Sequence, residues 1–287
     1  MARLNEVAEP SGTFAAPLGR RSGDRLREGL RSLGRTLRAG LTLILLLAAW
    51  EAFARSGALS TFLLPPLSVV CERVWQDALS GDLVANLGIT LYRALLGFAI
   101  AAAAGVALGI AMTRGAVLRW FFDPIVSVGF PMPKIAFLPI FMLWFGLYDT
   151  SKVTMIVFSA IFPVVTATAA ATEGVEREIL WSARSLGATN RQLLWEIILP
   201  AALPQILTGL QVALPVSLIV AIVTEMLMGG QGLGAAMINA SRFADSPGVF
   251  AGIVEIAIAG LCLVKGMTIL RRRLLLWHPE AKDPTTV

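Results

Sequence analysis

A polar segment in the second half of the chain decides how the sequence is interpreted. Residues 181–200 read Trp181-Ser-Ala-Arg-Ser-Leu-Gly187-Ala-Thr-Asn-Arg-Gln-Leu-Leu-Trp-Glu-Ile197-Ile-Leu199-Pro200, with long apolar stretches on both sides. Gly187 suits the left-handed conformation that ends many helices. Thr189, with Gln192 three residues later, has the spacing of a capping box. We therefore predict a helix–glycine–helix hairpin over residues 173–200, whose first helix runs from Glu173 to Leu186.

The surface of this hairpin has two interpretations. Arg177, Arg184 and Arg191 recur every seven residues, but the break at Gly187 need not leave them on one face. The first interpretation is a docking surface for another protein. The second is a helix pair at the membrane surface, with the arginines on lipid phosphates and residues 193–195 in the hydrocarbon.

The composition of the whole chain is that of an integral membrane protein. Of its 287 residues, 56% are hydrophobic and only 15% are charged, and the mean hydropathy is +0.73. Soluble domains carry about 25% charged residues, and a helix needs about 20 apolar residues to cross the hydrocarbon. We predict an all-α, polytopic domain over residues 39–273 with about six transmembrane helices. The candidate spans are 39–55, 87–113, 120–147, 153–172, 203–228 and 249–270.

Basic residues are concentrated on one side of these spans. That side holds the N-terminal tail 1–38, the connection around Arg114, the hairpin and the C-terminal tail 274–287 with the arginines before it. The other side holds only Arg55, Arg73, Lys152 and Arg242. Basic flanks are retained in the cytoplasm, so both termini and the hairpin are predicted to be cytoplasmic. Contact with lipid headgroups accounts for the basic charge, and nucleic acid is not an expected partner.

The third span is predicted to be broken. Pro131, Pro133 and Pro139 remove backbone donors at membrane depth, and such breaks are tolerated where protein or water surrounds them. Lys134 lies within the break. A cation at this depth either lines a path and contacts an anionic solute, or forms a structural ion pair, for which Asp123 is the candidate. Pro131, Pro133 and Lys134 are therefore candidate residues of a translocation path.

Two acidic residues near the outer ends of the last two spans are further candidates. Glu225 and Glu255 are placed to gate an outer mouth, and the alternative is an interfacial position or a pair with Arg242. Arg93 lies close enough to the end of the second span to extend its charge to the surface. Glu225 is retained as a candidate path residue.

The chain lacks the residue patterns of most enzymes. His278 is the single histidine, and the two cysteines have no metal-ligand spacing, so no metal site is predicted. No phosphate-binding loop of the Gly-x-x-x-x-Gly-Lys-Ser/Thr type occurs. The Gly230–Ala235 segment matches a loose dinucleotide fingerprint, but it follows a membrane span and is predicted to be a flexible turn. If ATP drives this protein, another chain binds it.

Residues 181–200 resemble the cytoplasmic loop of binding-protein-dependent ABC importer permeases. The family pattern is Glu-Ala-Ala, three residues, Gly, nine residues, Ile-x-Leu-Pro. Ala183, Gly187, Ile197, Leu199 and Pro200 match it, whereas Trp181 and Ser182 replace the leading Glu and Ala. The resemblance covers residues 60–280 and implies a type I permease fold in a bacterial inner membrane. An ATP-independent secondary transporter is the alternative, but no internal inverted repeat is evident.

The resemblance implies that the hairpin enters a groove on a separate ATPase subunit. Gly187 would shape the bend, and Pro200 would mark the start of the fifth span. The residues implied in this coupling are Trp181, Ser182, Ala183, Arg184, Gly187, Ala188, Thr189, Arg191 and Pro200.

The family also implies partners and a solute class. The expected assembly has a second copy of this chain, two ATP-binding subunits and an extracytoplasmic solute-binding protein, with ATP and Mg on the ATPase and no cofactor on this chain. Residues 131–146 and 276–280 are similar to the nitrate, sulfonate and taurine subgroup, whose relatives also carry pyrimidine vitamin precursors. The outer loop 229–246 is a candidate contact for the binding protein through Met237, Phe243 and Asp245, or else an interfacial cap.

Overall fold

The structure, a computed structural model, describes residues 40–277 and is built from helices connected by short turns. The tail 1–38 and His278 lie outside these residues. The helices are α1 (described over 40–55), α2 (Leu67–Ser80), α3 (Asp82–Arg114), α4 (Ala116–Gly129), α5 (Leu138–Phe145), α6 (Asp149–Glu173), α7 (Arg177–Ser185), α8 (Asn190–Met228), α9 (Leu233–Arg242) and α10 (Ser246–Leu274). A 3₁₀ turn, Lys134–Phe137, precedes α5.

Four of the described helices, α3, α6, α8 and α10, are long and apolar enough to cross a membrane. A fifth span is formed if α4 and Lys134–Phe145, which meet at an angle of 101°, are counted together. The predicted first span corresponds to α1, of which the structure describes 16 residues. The all-α, multi-spanning fold is confirmed.

The core is formed where α3, α6 and α8 pack together. Small residues on α3 face α6, since a Cβ atom on Gly105 or Gly109 would lie 2.8 Å from Val164 or 2.7 Å from Thr168 on α6. On α8, a Cβ on Gly209 would lie 2.3 Å from the Cβ of Ala167. The glycines therefore let the three helices approach one another closely, and α6 lies at the centre of the bundle.

The direction of each helix defines two ends of the molecule. The C-terminal ends of α3 and α6 lie together beside the hairpin, since Thr172 donates to Thr113 at 3.2 Å and Arg114 donates to the Asn190 carbonyl at 3.4 Å. We call this the hairpin end. The starts of α3, α6 and α10 and the end of α8 lie at the opposite end, together with α2 and α9. We call this the outer end.

Candidate functional site

The hairpin begins later than the sequence predicts. Helix α6 continues to Glu173, and residues 174–176 form a turn, so α7 starts at Arg177 instead of Glu173. Glu173 is held by an ion pair of 2.7 Å between its Oε1 and Nη1 of Arg119. The end of α6 is thereby tied to α4 at the base of the hairpin.

The bend of the hairpin follows the predicted local rules. Gly187 has φ 88°, and no atom lies within 4 Å of the position that a Cβ would take. The glycine is therefore required for its backbone conformation and not for lack of space. Thr189 and Gln192 form the predicted capping box, with the Gln192 amide donating to Thr189 Oγ1 at 3.3 Å and the Thr189 amide donating to Gln192 Oε1 at 2.9 Å.

The second helix of the hairpin is continuous with the fifth predicted span. α8 runs without interruption from Asn190 to Met228, so no break in the helix marks Pro200, and the start of the membrane span at this residue stays a prediction. A π-helical turn, Leu193–Ile198, lies directly before the proline. Pro200 has no N–H to donate one turn back, and the wider π turn lets the helix pass this position.

The tip of the hairpin exposes several large apolar side chains. Leu186 is 90% exposed, and Trp181 and Trp195 are 60% and 61% exposed. Most residues implied in coupling are exposed, while Ala183 and Ala188 are half-buried. Leu193 is 1% exposed and packs inside the protein, so it does not enter lipid as the interfacial interpretation requires. The exposed apolar tip fits either a docking surface or contact with lipid, and the docking role stays a prediction.

A cavity of about 220 Å³ lies beneath the hairpin. Its wall includes Arg114, Arg177, Arg184 and Glu173. Arg191 lies apart from this cavity, beside Trp195 and Glu196. The three hairpin arginines are thus divided between two surfaces, as the break at Gly187 predicts.

At the outer end, a buried ionic network joins the three core helices. Arg93 Nη1 on α3 lies 2.7 Å from Glu225 Oε1 on α8, and its Nη2 lies 2.7 Å from Asp149 Oδ1 on α6. Arg93 therefore points inward, and the prediction that it reaches the surface is wrong. Glu225 is fully buried and pairs with Arg93, not with Arg242. Its place on the translocation path stays a prediction.

The glycine-rich segment after α8 closes over this network. Gly229, Gly230 and Gly232 all have positive φ, which confirms a turn over the first half of the predicted segment. The prediction is wrong for Leu233–Ala235, which already belong to α9. A Cβ on Gly232 would lie 2.3 Å from Cδ of Glu225, so only glycine fits against the carboxylate.

Hydrogen bonds hold this turn at several points. The prediction of a flexible turn did not include these bonds. Lys152 Nζ donates to the Gly229 carbonyl at 2.7 Å, and the amides of Gly232 and Leu233 donate to side chains of α3 at 3.0 and 2.9 Å. The Gly234 amide donates to Glu225 Oε2 at 3.1 Å.

The break in the third span is confirmed and lies between α4 and the 3₁₀ turn. Pro131 and Pro133 are exposed within it. Lys134 Nζ donates to the Phe130 carbonyl at 2.8 Å and lies 5.2 Å from the ring centroid of Phe162. No ion pair joins Lys134 to Asp123, although both residues are described, so that interpretation is wrong. Lys134 satisfies the end of α4, and its ammonium group has no carboxylate partner among residues 40–277.

The predicted outer contact residues have different surroundings. Phe243 is 85% exposed. Met237 faces α10, where it would be 3.0 Å from a Cβ on Gly252. Asp245 caps α10 by accepting from the Gly248 amide at 3.0 Å and pairs with Arg73 at 2.7 Å. Phe243 alone therefore presents a large free surface.

Comparison with known proteins identifies the family. Residues 101–276 match the model of the binding-protein-dependent transport system inner membrane component. The chain belongs to this family. It is a multi-pass inner-membrane permease subunit of an ABC importer, a class that works with ATPase and solute-binding partners.

Individual relatives agree with this assignment. The chain is 36% identical to the taurine transport permease TauC of Escherichia coli over 84% of this chain and 90% of that protein. It is 32% identical to the putative aliphatic sulfonates permease SsuC of Bacillus subtilis, over 81% and 84% of the two chains. An amino acid ABC transporter crystallised with histidines has a similar fold, with a TM-score of 0.57 at 20% identity over 69% of this chain and 96% of that one.

Proposed function

We propose that this permease subunit forms the translocation path for a small anionic solute and couples it to ATP hydrolysis through the hairpin. The single observation that carries the coupling role is the exposed apolar tip, with Leu186 90% exposed at the bend. An exposed apolar patch rimmed by charged residues is typical of a protein docking site. The exposed Arg184 and Arg191 supply such a rim.

The continuity of α8 supports a mechanical link across the membrane. The same helix carries Arg191 in the hairpin and Glu225 in the buried network. At about 1.5 Å per residue, these two positions lie roughly 50 Å apart along the helix. A displacement of the hairpin by a docked partner would therefore reach the network that joins the outer ends of α3, α6 and α8.

The proposed assembly places ATP chemistry on a separate chain. ATP and Mg bind to two ATPase subunits, and this chain carries no cofactor. Two copies of the permease enclose the path, and a solute-binding protein delivers solute at the outer end. In this arrangement both termini and the hairpin face the cytoplasm, in agreement with the distribution of basic residues.

The proposed solute is of the sulfonate type, with taurine first and nitrate as a smaller anion of the same subgroup. Two relatives are named for taurine and aliphatic sulfonate transport. Lys134 supports an anionic solute, because its ammonium group in the broken span bonds a carbonyl and has no carboxylate partner in the described part of the chain. A pyrimidine vitamin precursor is the alternative solute.

Reconstitution tests this proposal. The permease is placed in proteoliposomes with the ATPase and binding protein encoded by neighbouring genes, and uptake of labelled taurine, an alkanesulfonate, nitrate and a pyrimidine is measured. We expect sulfonate uptake only with ATP and binding protein present. Uptake that persists without ATP would instead support a secondary transporter, and uptake of the pyrimidine alone would overturn the anionic solute.

A further inference from the structure

A second cavity lies at the outer end, separate from the buried network around Arg93. It is enclosed by α2, α3, α9 and α10 and has a volume of about 170 Å³. A water molecule occupies about 30 Å³ of liquid, so the cavity has room for a ligand of several heavy atoms. Its wall combines Asp77, Asp82 and Glu255 with apolar residues that include Leu83 and Met237.

Glu255 is the unusual residue of this cavity. Its side chain is on the wall and the residue is only 8% exposed. Within residues 40–277, no hydrogen-bond donor reaches its buried Oε1 atom. A buried carboxylate without a donor is unfavourable, and a ligand that carries N–H donors would remove that penalty.

The one guanidinium group in the cavity wall is already engaged. Arg73 Nε lies 3.0 Å from Asp77 and its Nη1 lies 2.7 Å from Asp245. Burial alone would lower the pKa of Arg73, but its bonds to these two carboxylates outweigh burial and raise the pKa. Among the described side chains, the Ser80 hydroxyl alone donates to Asp82, at 2.8 Å. Asp82 and Glu255 are therefore the carboxyl groups of this wall that no described cation pairs with.

The cavity wall combines carboxyl groups with apolar residues, and this combination favours one class of ligand. Among the described residues, no group of three or more acidic, histidine or cysteine side chains has the arrangement of a metal site. An alkylammonium ion needs fewer acceptors than a metal, and its methylene groups can contact the apolar wall. We propose that this cavity binds a primary alkylammonium group, with its N–H donors on Glu255 and its chain against Leu83 and Met237.

Two sources can supply this chemistry at the outer end. One is a free solute with an aminoalkyl group. The other is a lysine side chain of a protein that docks there.

The first experiment uses full-length permease in lipid nanodiscs with n-butylammonium as the probe. The melting midpoint is followed against probe concentration, with n-butanol and sodium chloride as controls for partition and ionic strength. We expect the melting midpoint of the wild type to rise with n-butylammonium concentration and then saturate. The half-maximal concentration should be at least tenfold higher for Glu255→Gln. Glu72→Gln removes the same charge from an exposed site on α2 outside the cavity wall and should behave as wild type.

Asp82→Asn is a second variant, at an exposed position. We expect it to raise the half-maximal concentration of n-butylammonium as well, but by less than Glu255→Gln does. An equal response in Glu255→Gln and wild type, or no saturable response in wild type, would overturn the proposal. This experiment does not depend on transport. Its failure would therefore leave the proposed import function untouched.

A second experiment distinguishes the two sources and rests on the proposed function. Docking of the cognate binding protein to the complete transporter is measured before and after acetylation of its lysines. If a lysine is the source, acetylation weakens docking to wild type but not to Glu255→Gln, and n-butylammonium competes with the native protein. If a free solute is the source, docking is unchanged and an aminoalkyl solute displaces n-butylammonium from the permease.

Discussion

Arg93 and Glu225 form a buried ion pair although 132 residues separate them in the chain. Their nearest atoms are 2.7 Å apart, and the side chains are 6% and 0% exposed. Asp149 extends the pair to α6, so one guanidinium group joins all three core helices. The hairpin lies at the other end of α8. The network is therefore placed to respond when the hairpin moves.

Loss of one partner of this pair should destabilise the protein strongly. Arg93→Met leaves Glu225 buried without a counterion, and breaking such pairs costs about 3–5 kcal/mol. The melting midpoint of purified protein in detergent should fall accordingly. Arg55→Met is the matched control, because Arg55 is 64% exposed in its pair with Glu51 and should change the midpoint little.

A double variant separates the charge from the packing. Arg93→Met combined with Glu225→Met removes both buried charges and should recover part of the lost stability. If the double variant loses as much free energy of unfolding as the two single variants lose together, the two charges are not coupled.

Gly232 should tolerate alanine less well than another glycine of similar conformation. Gly232→Ala places a Cβ 2.3 Å from the Glu225 carboxylate, in addition to the strain of positive φ. Gly229 has φ 71° and ψ −159°, close to the φ 120° and ψ 165° of Gly232, and no described atom lies within 4 Å of its Cβ position, so Gly229→Ala carries only the backbone cost of about 1–3 kcal/mol. We expect Gly232→Ala to lower the free energy of unfolding by about 1–3 kcal/mol more than the control variant does, which is the usual cost of overpacking. Its melting midpoint should fall further accordingly. Equal melting midpoints for the two variants would contradict the close contact.

Local signals in the sequence predicted the parts of the structure that depend on neighbouring residues. The helix end at Gly187 and the Thr189–Gln192 capping box could be predicted because a helix end is determined by a few neighbouring residues. The break at Pro131 and Pro133 was readable for the same reason, since proline removes a donor wherever it occurs.

Features that depend on tertiary structure could not be read in this way. Arg93 and Glu225 lie on different predicted spans, and no local pattern indicates which charges face each other. No local pattern at Pro200 indicated the π turn before it, through which the helix passes the proline without a break. The turn at Gly229–Gly232 was predicted, but its attachment to Lys152 requires the packing of α6 against α8.

The backbone at Gly187 should be required for transport and not for insertion into the membrane. Gly187→Pro cannot adopt φ 88° and should abolish ATP-dependent uptake at normal expression. Asparagine tolerates the left-handed region, so Gly187→Asn is the matched control and should keep most of the uptake. Normal uptake by a well-expressed Gly187→Pro protein would contradict a coupling role for the hairpin.

Lys134 should affect transport of anions if it lines the path. Lys134→Met removes the ammonium charge and should raise the KM for sulfonate uptake severalfold. Lys265→Met, at an exposed position on α10, removes the same charge elsewhere and should leave the KM unchanged. If the uptake kinetics of Lys134→Met are unchanged, the role of Lys134 is structural, through its hydrogen bond to the Phe130 carbonyl at the end of α4.

The central claim is that the hairpin transmits ATP hydrolysis to the membrane spans. The most direct measurement is ATP hydrolysis by the complete reconstituted transporter, with and without solute-loaded binding protein, for wild type, Gly187→Pro and Gly187→Asn. We predict that the binding protein stimulates hydrolysis in wild type and Gly187→Asn but not in Gly187→Pro. Equal stimulation in all three proteins would contradict the claim.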